Sequence, residues 1–405
     1  MRVPAWLTFA VLATAQSSCT PQPAHPLDHE AYLWQRQWTP AIATSIDAMR
    51  GDFNVWRVLA AESTTAGELV DASPRLDLLA RGAKPVIAVL RLNGSRPPPS
   101  ADRIAQRIEK VVEAWRAAGV SVSGVEIDHD CATARLDAYA DLLASLRTHL
   151  PAGLKLSITA LPTWIGAPAL ARVLAQVDAS VLQVHAIAAP HAGAGETGLF
   201  DPAQAQRWID AYAGVAHQPF RVALPAYGLR VGFGDDGAAI TVEGEMPRAI
   251  EAQHARELRA DPVAVSALLQ ALARAHPASF AGIVWFRLPS EDDRRAWSIA
   301  TLHAVIAGAE LKPDFDVRAP SAANGAADIV LVNRGALDAP PPAWIEVAAK
   351  ECSAADALAG FRMEKSAAGW RFFPTADAIL RAGHERRIGW ARCASIEKGS
   401  INAHP

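Results

Sequence analysis

Hydrophobic and polar positions follow two rhythms along most of this chain. Eight short runs, at 32–34, 55–60, 85–92, 122–128, 154–161, 181–187, 221–226 and 282–288, are rich in β-branched residues and almost continuously apolar, as strands covered on both faces are. Between them apolar residues recur every three or four positions. The clearest case is 101–118, where Ile104, Ile108, Val111, Val112 and Trp115 form one stripe behind Ser100, a capping residue that predicts an amphipathic helix. Segments 135–150, 201–214, 262–275 and 291–308 carry the same rhythm. Strands alternating with helices build a parallel sheet. Eight such units in about 275 residues fit a (β/α)8 barrel, typically about 250 residues long. The chain is therefore predicted to be α/β, with a (β/α)8 TIM barrel over 30–310. An open doubly wound sheet, the alternative, normally has a Gly-rich phosphate turn after its first strand, and this chain has none.

The rhythm breaks twice. Residues 229–251 interrupt the alternation between the seventh and eighth strands with Gly232, Gly234, Asp235, Asp236 and Gly237, then a pattern over 238–243 that predicts a strand or hairpin arm; such an excursion lies over the top of a barrel. From about residue 312 short alternating runs separated by Gly, Asn and Pro turns take over. They predict a small all-β, sandwich-like domain over 318–400.

A length of 405 residues exceeds one average domain of about 100–200 residues, in line with two folded units. The net charge of −3, with no basic block, argues against nucleic acid as a partner. The first nineteen residues read as an export signal, with Arg2 ahead of an apolar stretch over 5–15. Two processing sites compete: Ala13-Thr14-Ala15 for cleavage, and Ser17-Ser18-Cys19 as a lipobox in which Cys19 is lipidated. Residues 20–29 then form a proline-rich linker. An exported protein, periplasmic or anchored to the outer membrane, is the expectation, with membrane contact only through that lipid. Cys352 and Cys393 share the C-terminal segment and are predicted to pair in an oxidising compartment, two buried thiols being the alternative. No C-x-x-C spacing suggests a structural zinc, and no cofactor is expected.

The most informative run is Gly124-Val125-Glu126-Ile127-Asp128-His129-Asp130, on the fourth strand and its exit. Alternation puts Glu126, Asp128 and Asp130 on one face and His129 on the other. Three carboxylates aimed into a barrel are costly unless paired, hydrogen-bonded or used, and crowding raises at least one pKa. Neighbours on one strand face are about 6–7 Å apart, within reach of the two-carboxylate arrangements of glycoside hydrolases. Two other readings compete: a structural cluster neutralised by Arg57, Arg91 and Arg287, and a Mg²⁺ or Ca²⁺ site. Around the acids, Trp34, Trp38, Arg91, Gln183, His185, Tyr227, Trp285 and Arg287 sit near other strand ends. Rings beside carboxylates suit a carbohydrate; for each Trp taken singly the alternative is core packing.

Residues 123–130 resemble the fourth-strand signature D-G-x-D-x-D-x-E of the chitinase-like barrels, glycoside hydrolase family 18. Glu126 and Asp128 match its inner carboxylates, Asp130 its catalytic acid shortened from Glu, and Ser123 replaces its first Asp. Leu224-Pro225-Ala226-Tyr227-Gly228 resembles that family's P-x-Y-G, and Trp285 its sugar-closing tryptophan. Gln183-Val184-His185-Ala186 lacks the family's Tyr and Asp, so the resemblance does not extend to substrate-assisted chemistry on an N-acetyl sugar. Trp34-Gln35-Arg36-Gln37-Trp38, Glu126-Ile127-Asp128-His129-Asp130-Cys131 and Gln183-Val184-His185 are similar to a family of bacterial, often lipoprotein-type proteins, domain of unknown function 3142. That resemblance covers most of the barrel and implies a hydrolase-like fold.

The resulting expectation is an exported glycoside-hydrolase-like barrel acting on a polysaccharide. Asp130 would be the general acid, Asp128 the stabiliser or base, and Glu126 a tuner of its neighbours. A non-catalytic glycan-binding envelope lipoprotein is the alternative, and metal-assisted hydrolysis or deacetylation of a polysaccharide a third.

Overall fold

The computed structural model describes residues 26–64, 66–186, 199–236, 239–243, 254–320, 326–358, 360–375, 379–396 and 403–404. The expected signal, Cys19 and most of the linker lie outside them. Eight strands form a closed parallel barrel: His29–Leu33, Val55–Ser63, Val86–Leu92, Val122–His129, Lys155–Ala160, Ala179–Gln183, Phe220–Pro225 and Phe280–Phe286. The first pairs with both the second and the eighth. Each corresponds to one of the eight apolar runs.

Helices surround the barrel. Ala101–Ala117 starts at Ser100, whose hydroxyl accepts the Arg103 N–H, and its Ile104, Ile108, Val111, Val112 and Trp115 are buried. Asp201 caps Pro202–Ala213 and Asp261 caps Pro262–Arg274 in the same way. The last helix, Ile299–Ile306, begins later than the periodicity predicts. The preceding residues are instead folded around Asp293, which accepts the N–H groups of Arg295 and Ala296 and pairs with Arg287. Among the described residues no helix is long and apolar enough to cross a membrane.

Most apolar side chains pack between the strands and the helices. A separate inner cluster fills the barrel with Tyr32, Trp34, Leu59, Val89, Val181, Ala223 and Val284. Between the seventh and eighth strands, Gly228–Phe233 is the centre of a three-stranded antiparallel sheet with Ala239–Glu243 and His254–Arg259.

The C-terminal region is all β. Among the described residues its seven strands form one continuous sheet. The long strand Trp344–Ala357 pairs with Gly369–Pro374 over its first part and with Glu385–Ile396 over the rest. Strands from both parts contribute to one core around Ile329, Leu331, Ile345, Val347, Phe372 and Ile388. Cys352 and Cys393 face each other on adjacent strands and form a disulfide. The domain docks on the loop after the eighth strand. Asp338 accepts the N–H of Ser298 at 2.7 Å and of Ala382 at 2.8 Å, and Arg381 donates to the carbonyls of Asp293 and Ala296.

Candidate active site

The fourth strand sorts its side chains as its alternation requires. Val125 and Ile127 join the outer core. His129 also points outward, its ring 5.0 Å from that of Tyr139. Glu126, Asp128 and Asp130 take the inner face at three depths.

Glu126 is the deepest and has no exposure. Its carboxylate accepts the Tyr32 hydroxyl at 2.6 Å and the Ser157 hydroxyl at 3.1 Å, and pairs with Arg57. Arg57 also donates to Glu30 at 2.6 Å, and Glu30 accepts Arg221 at 2.8 Å. Four strands thus share one ion-pair network across the barrel floor. Burial pushes the Glu126 carboxyl up, while Arg57, Tyr32 and Ser157 pull it back. Desolvation pulls Arg57 down, but Glu126 and Glu30 outweigh it and hold the guanidinium above its ordinary range. Of the three arginines expected to neutralise the acids, Arg57 does so fully, and only for Glu126.

Asp128 lies one pleat higher and is 7% exposed. Thr159 donates its hydroxyl to Oδ1 at 2.7 Å, and the nearest cation, Arg91, is 3.9 Å from Oδ2. Burial first, and the charge of Asp130 second, push the Asp128 carboxyl up to about 6. Asp130, at the strand exit, is exposed to solvent; the atoms around its carboxyl desolvate it and raise its pKa, against the pull of Arg91. Its backbone is clamped by Gly94, where any Cβ would collide with the Asp130 carbonyl, and Arg135 donates to the Gly94 carbonyl. Cys131 follows, buried, its thiol pushed up to about 11 by burial. Its carbonyl accepts the Trp164 indole N–H at 3.0 Å, which anchors the exit.

Beside the acids stands an aromatic cluster centred on Phe286. Its ring lies 5.7 Å from Tyr32, 5.5 Å from Trp34, 5.4 Å from His185 and 5.4 Å from Tyr227. Arg91 sits 5.8 Å over the Trp34 ring, so this cluster and Asp128 adjoin. His185 is paired with the Tyr227 hydroxyl at 3.2 Å, and burial pulls its pKa down to about 3, leaving the imidazole neutral. Trp34, His185 and Tyr227 are each under 5% exposed, whereas Phe286, Gln183 and Arg91 reach partly into solvent.

Two expectations need correction. Trp285 does not face the cup, the space beside Asp128, Asp130 and the Phe286 ring at the mouth of the barrel: it is fully buried in the outer core, donates its indole N–H to His29 at 3.1 Å and packs against Trp297. Phe286, one residue on, takes the inward place. The run Phe280–Phe286 is apolar on both faces, so polarity could not fix its phase. Arg287 is likewise withdrawn, 5% exposed, paired with Asp293 and stacked over Tyr227. Trp38 is half-buried against the outer core. Tyr32, Ser157 and Glu30 were not singled out as site residues, although Tyr32 and Glu30 lie in phase with Trp34 on the first strand. Among the described residues no three His, Cys, Asp or Glu side chains are grouped to hold a metal ion.

A family model described as a domain of unknown function (DUF3142) matches residues 82–291, just over half of the chain. The chain belongs to that family. A second model, a domain of unknown function (DUF8456), matches residues 316–394 in the β domain. No curated protein matches the sequence. Solved structures similar to the DUF3142 chain include the Bacillus cereus spore cortex-lytic enzyme SleL, at 13% identity and a TM-score of 0.49, covering 71% of this chain and 76% of that one. A chitinase from Chromobacterium violaceum is similar at 17% identity and a TM-score of 0.45, covering 70% and 97%. The GH18 chitinase ChiB of Flavobacterium johnsoniae is similar at 13% identity and a TM-score of 0.48, covering 70% and 93%.

Proposed function

We propose that this protein is an exported glycoside hydrolase acting on a polysaccharide, with Asp128 and Asp130 as its working pair. One observation carries the reading: a buried carboxyl at about 6 stands next to a solvent-exposed carboxyl at the C-terminal end of a barrel strand, the end where such barrels work. A pair of this kind shares one proton in mildly acid solution and loses it as pH rises through about 6. Phe286 supplies an apolar ring beside it, and Gln183 and Arg91 supply polar groups, as a sugar's faces and hydroxyls require.

In the proposed reaction Asp130 gives the proton it shares with Asp128 to the bridging oxygen, leaving Asp128 ionised. The bond from that oxygen to the anomeric carbon breaks, the electron pair staying with the oxygen. The Asp128 carboxylate faces the developing positive charge. Water then adds its hydroxyl to the anomeric carbon and returns a proton to the pair. Glu126 is too deep to touch substrate and holds the floor.

Release of reducing ends from a polysaccharide panel tests this. Asp130→Asn and Asp128→Asn are each expected to lower turnover about 10²–10⁴-fold. The profile should fall as pH rises through about 6, where the pair loses its shared proton. Equal turnover by wild type and Asp130→Asn would falsify the assignment; glycans bound without release of ends would point to the non-catalytic envelope reading. Export and lipidation at Cys19 are read from the N-terminal sequence, and mass spectrometry of the mature N-terminus in the native host decides them: an intact Met1 overturns both.

A further inference from the structure

A second cleft, of about 510 Å³, lies between the barrel and the β domain. One wall is the strand His254–Arg259 and the loop after the eighth barrel strand; the other is the β domain. Because that loop leaves the C-terminal end of a barrel strand, the cleft sits at the same end of the barrel as Asp128 and Asp130. Five arginines line it: Arg259, Arg294 and Arg295 on the barrel side, Arg381 and Arg386 opposite.

The carboxylates of the lining are already engaged. Glu257 meets Arg259 at 2.7 Å and Arg295 at 3.6 Å. Glu291 meets His384 at 2.8 Å and Arg381 at 3.6 Å. Asp338 accepts backbone N–H groups on both sides of the seam, and Glu385 pairs with Arg318. Arg381 docks the two domains through barrel carbonyls. That leaves Arg294, which is exposed, and Arg386, which donates to the Ile379 carbonyl at 3.1 Å. Among the described residues neither has a carboxylate partner, and neither is needed for docking. A guanidinium lining a concave site presents a planar fork that fits a carboxylate in two parallel hydrogen bonds.

We propose that this cleft is an anion subsite, in which Arg294 and Arg386 hold the carboxylate of an acidic sugar unit while the chain runs on toward the cup. The ligand class rests on the glycan reading of the cup; the anion preference rests on the arginines alone.

Calorimetric titration of the whole protein with a hexagalacturonate and with uncharged cellohexaose tests it. Wild type is expected to bind the acidic hexamer at least about tenfold more tightly, with the preference shrinking as salt rises. Arg294→Ala with Arg386→Ala should erase that preference, about a tenfold loss on the acidic hexamer, and leave cellohexaose binding unchanged. Arg294→Ala alone, at an exposed position, guards against a folding defect and should lose part of the preference. Equal binding of both hexamers by wild type, or a preference that survives the double variant, overturns the subsite. An arginine-dependent preference in a protein that hydrolyses no glycan would leave the subsite standing and remove the reaction. Hydrolysis with no arginine dependence would do the reverse.

Discussion

Glu126 and Asp128 stand two residues apart on one face of one strand, yet they have opposite surroundings. Glu126 is met by a guanidinium and two hydroxyls within one network of floor residues. Asp128 has one hydroxyl and a cation at 3.9 Å. A step of about 6–7 Å along the pleat separates a carboxylate locked into an ion-pair network from one with no cation in hydrogen-bond contact. The lesson is that strand alternation decides which way a side chain points, while the ring of residues at its depth decides what it does.

The largest expected effect comes from breaking the floor. Glu126→Ala leaves Arg57 buried with only Glu30 opposite, and removing one partner of a buried pair typically costs about 3–5 kcal/mol. Urea unfolding at pH 7 should show that loss. A change of under about 1 kcal/mol, the scale of an exposed ion pair, would mean that the network contributes nothing and that the contrast with Asp128 is empty.

Asp128→Asn should act in the opposite direction. The Asp128 carboxyl rises from 3.8 to about 6 on folding, so between those values the folded chain binds more protons than the unfolded one. Stability contributed by the neutral acid is fully present below the lower value and is lost as pH rises through the upper. The ionised carboxylate therefore costs the fold about 2–3 kcal/mol at neutral pH. Asparagine keeps an oxygen to accept the Thr159 hydroxyl and carries no charge. The variant should be more stable than wild type at pH 7.5 and equal to it near pH 4. Paired thermal melts at the two pH values check this, and destabilisation at both would place Asp128 with Glu126 as a structural acid.

The parts of this comparison legible in the sequence were those that depend on direction. Eight near-continuous apolar runs announce strands covered on both faces, and the phase of Glu126, Asp128 and Asp130 against His129 follows from parity alone. Depth was not legible, because it depends on which side chains from other strands arrive at the same level: Arg57 meets Glu126, whereas Arg287 turns away to Asp293, a partner fixed by the fold of the following loop. Where both faces of a strand are apolar even direction is lost, as at Trp285 and Phe286. The strand His254–Arg259 was hidden for a related reason: its polar sequence carries no alternation, and its place is set by pairing with Gly228–Phe233.

The smallest effect sharpens the comparison from the ring side. If the cup works above the floor, Phe286 is its apolar wall and Trp285 belongs to the layer behind. Phe286→Ala should weaken binding of an oligosaccharide substrate about tenfold, the scale of a lost ring contact of about 1–1.5 kcal/mol. Trp285→Phe keeps most of the packed volume, loses the bond to His29 and should leave the same Kd unchanged while lowering the melting temperature. The two substitutions occupy adjacent positions on one strand, so a difference in Kd between them reads the phase of that strand directly. A weaker Kd from Trp285→Phe than from Phe286→Ala would return the tryptophan to the cup and shift the eighth strand by one residue, reversing which face of it meets Asp128.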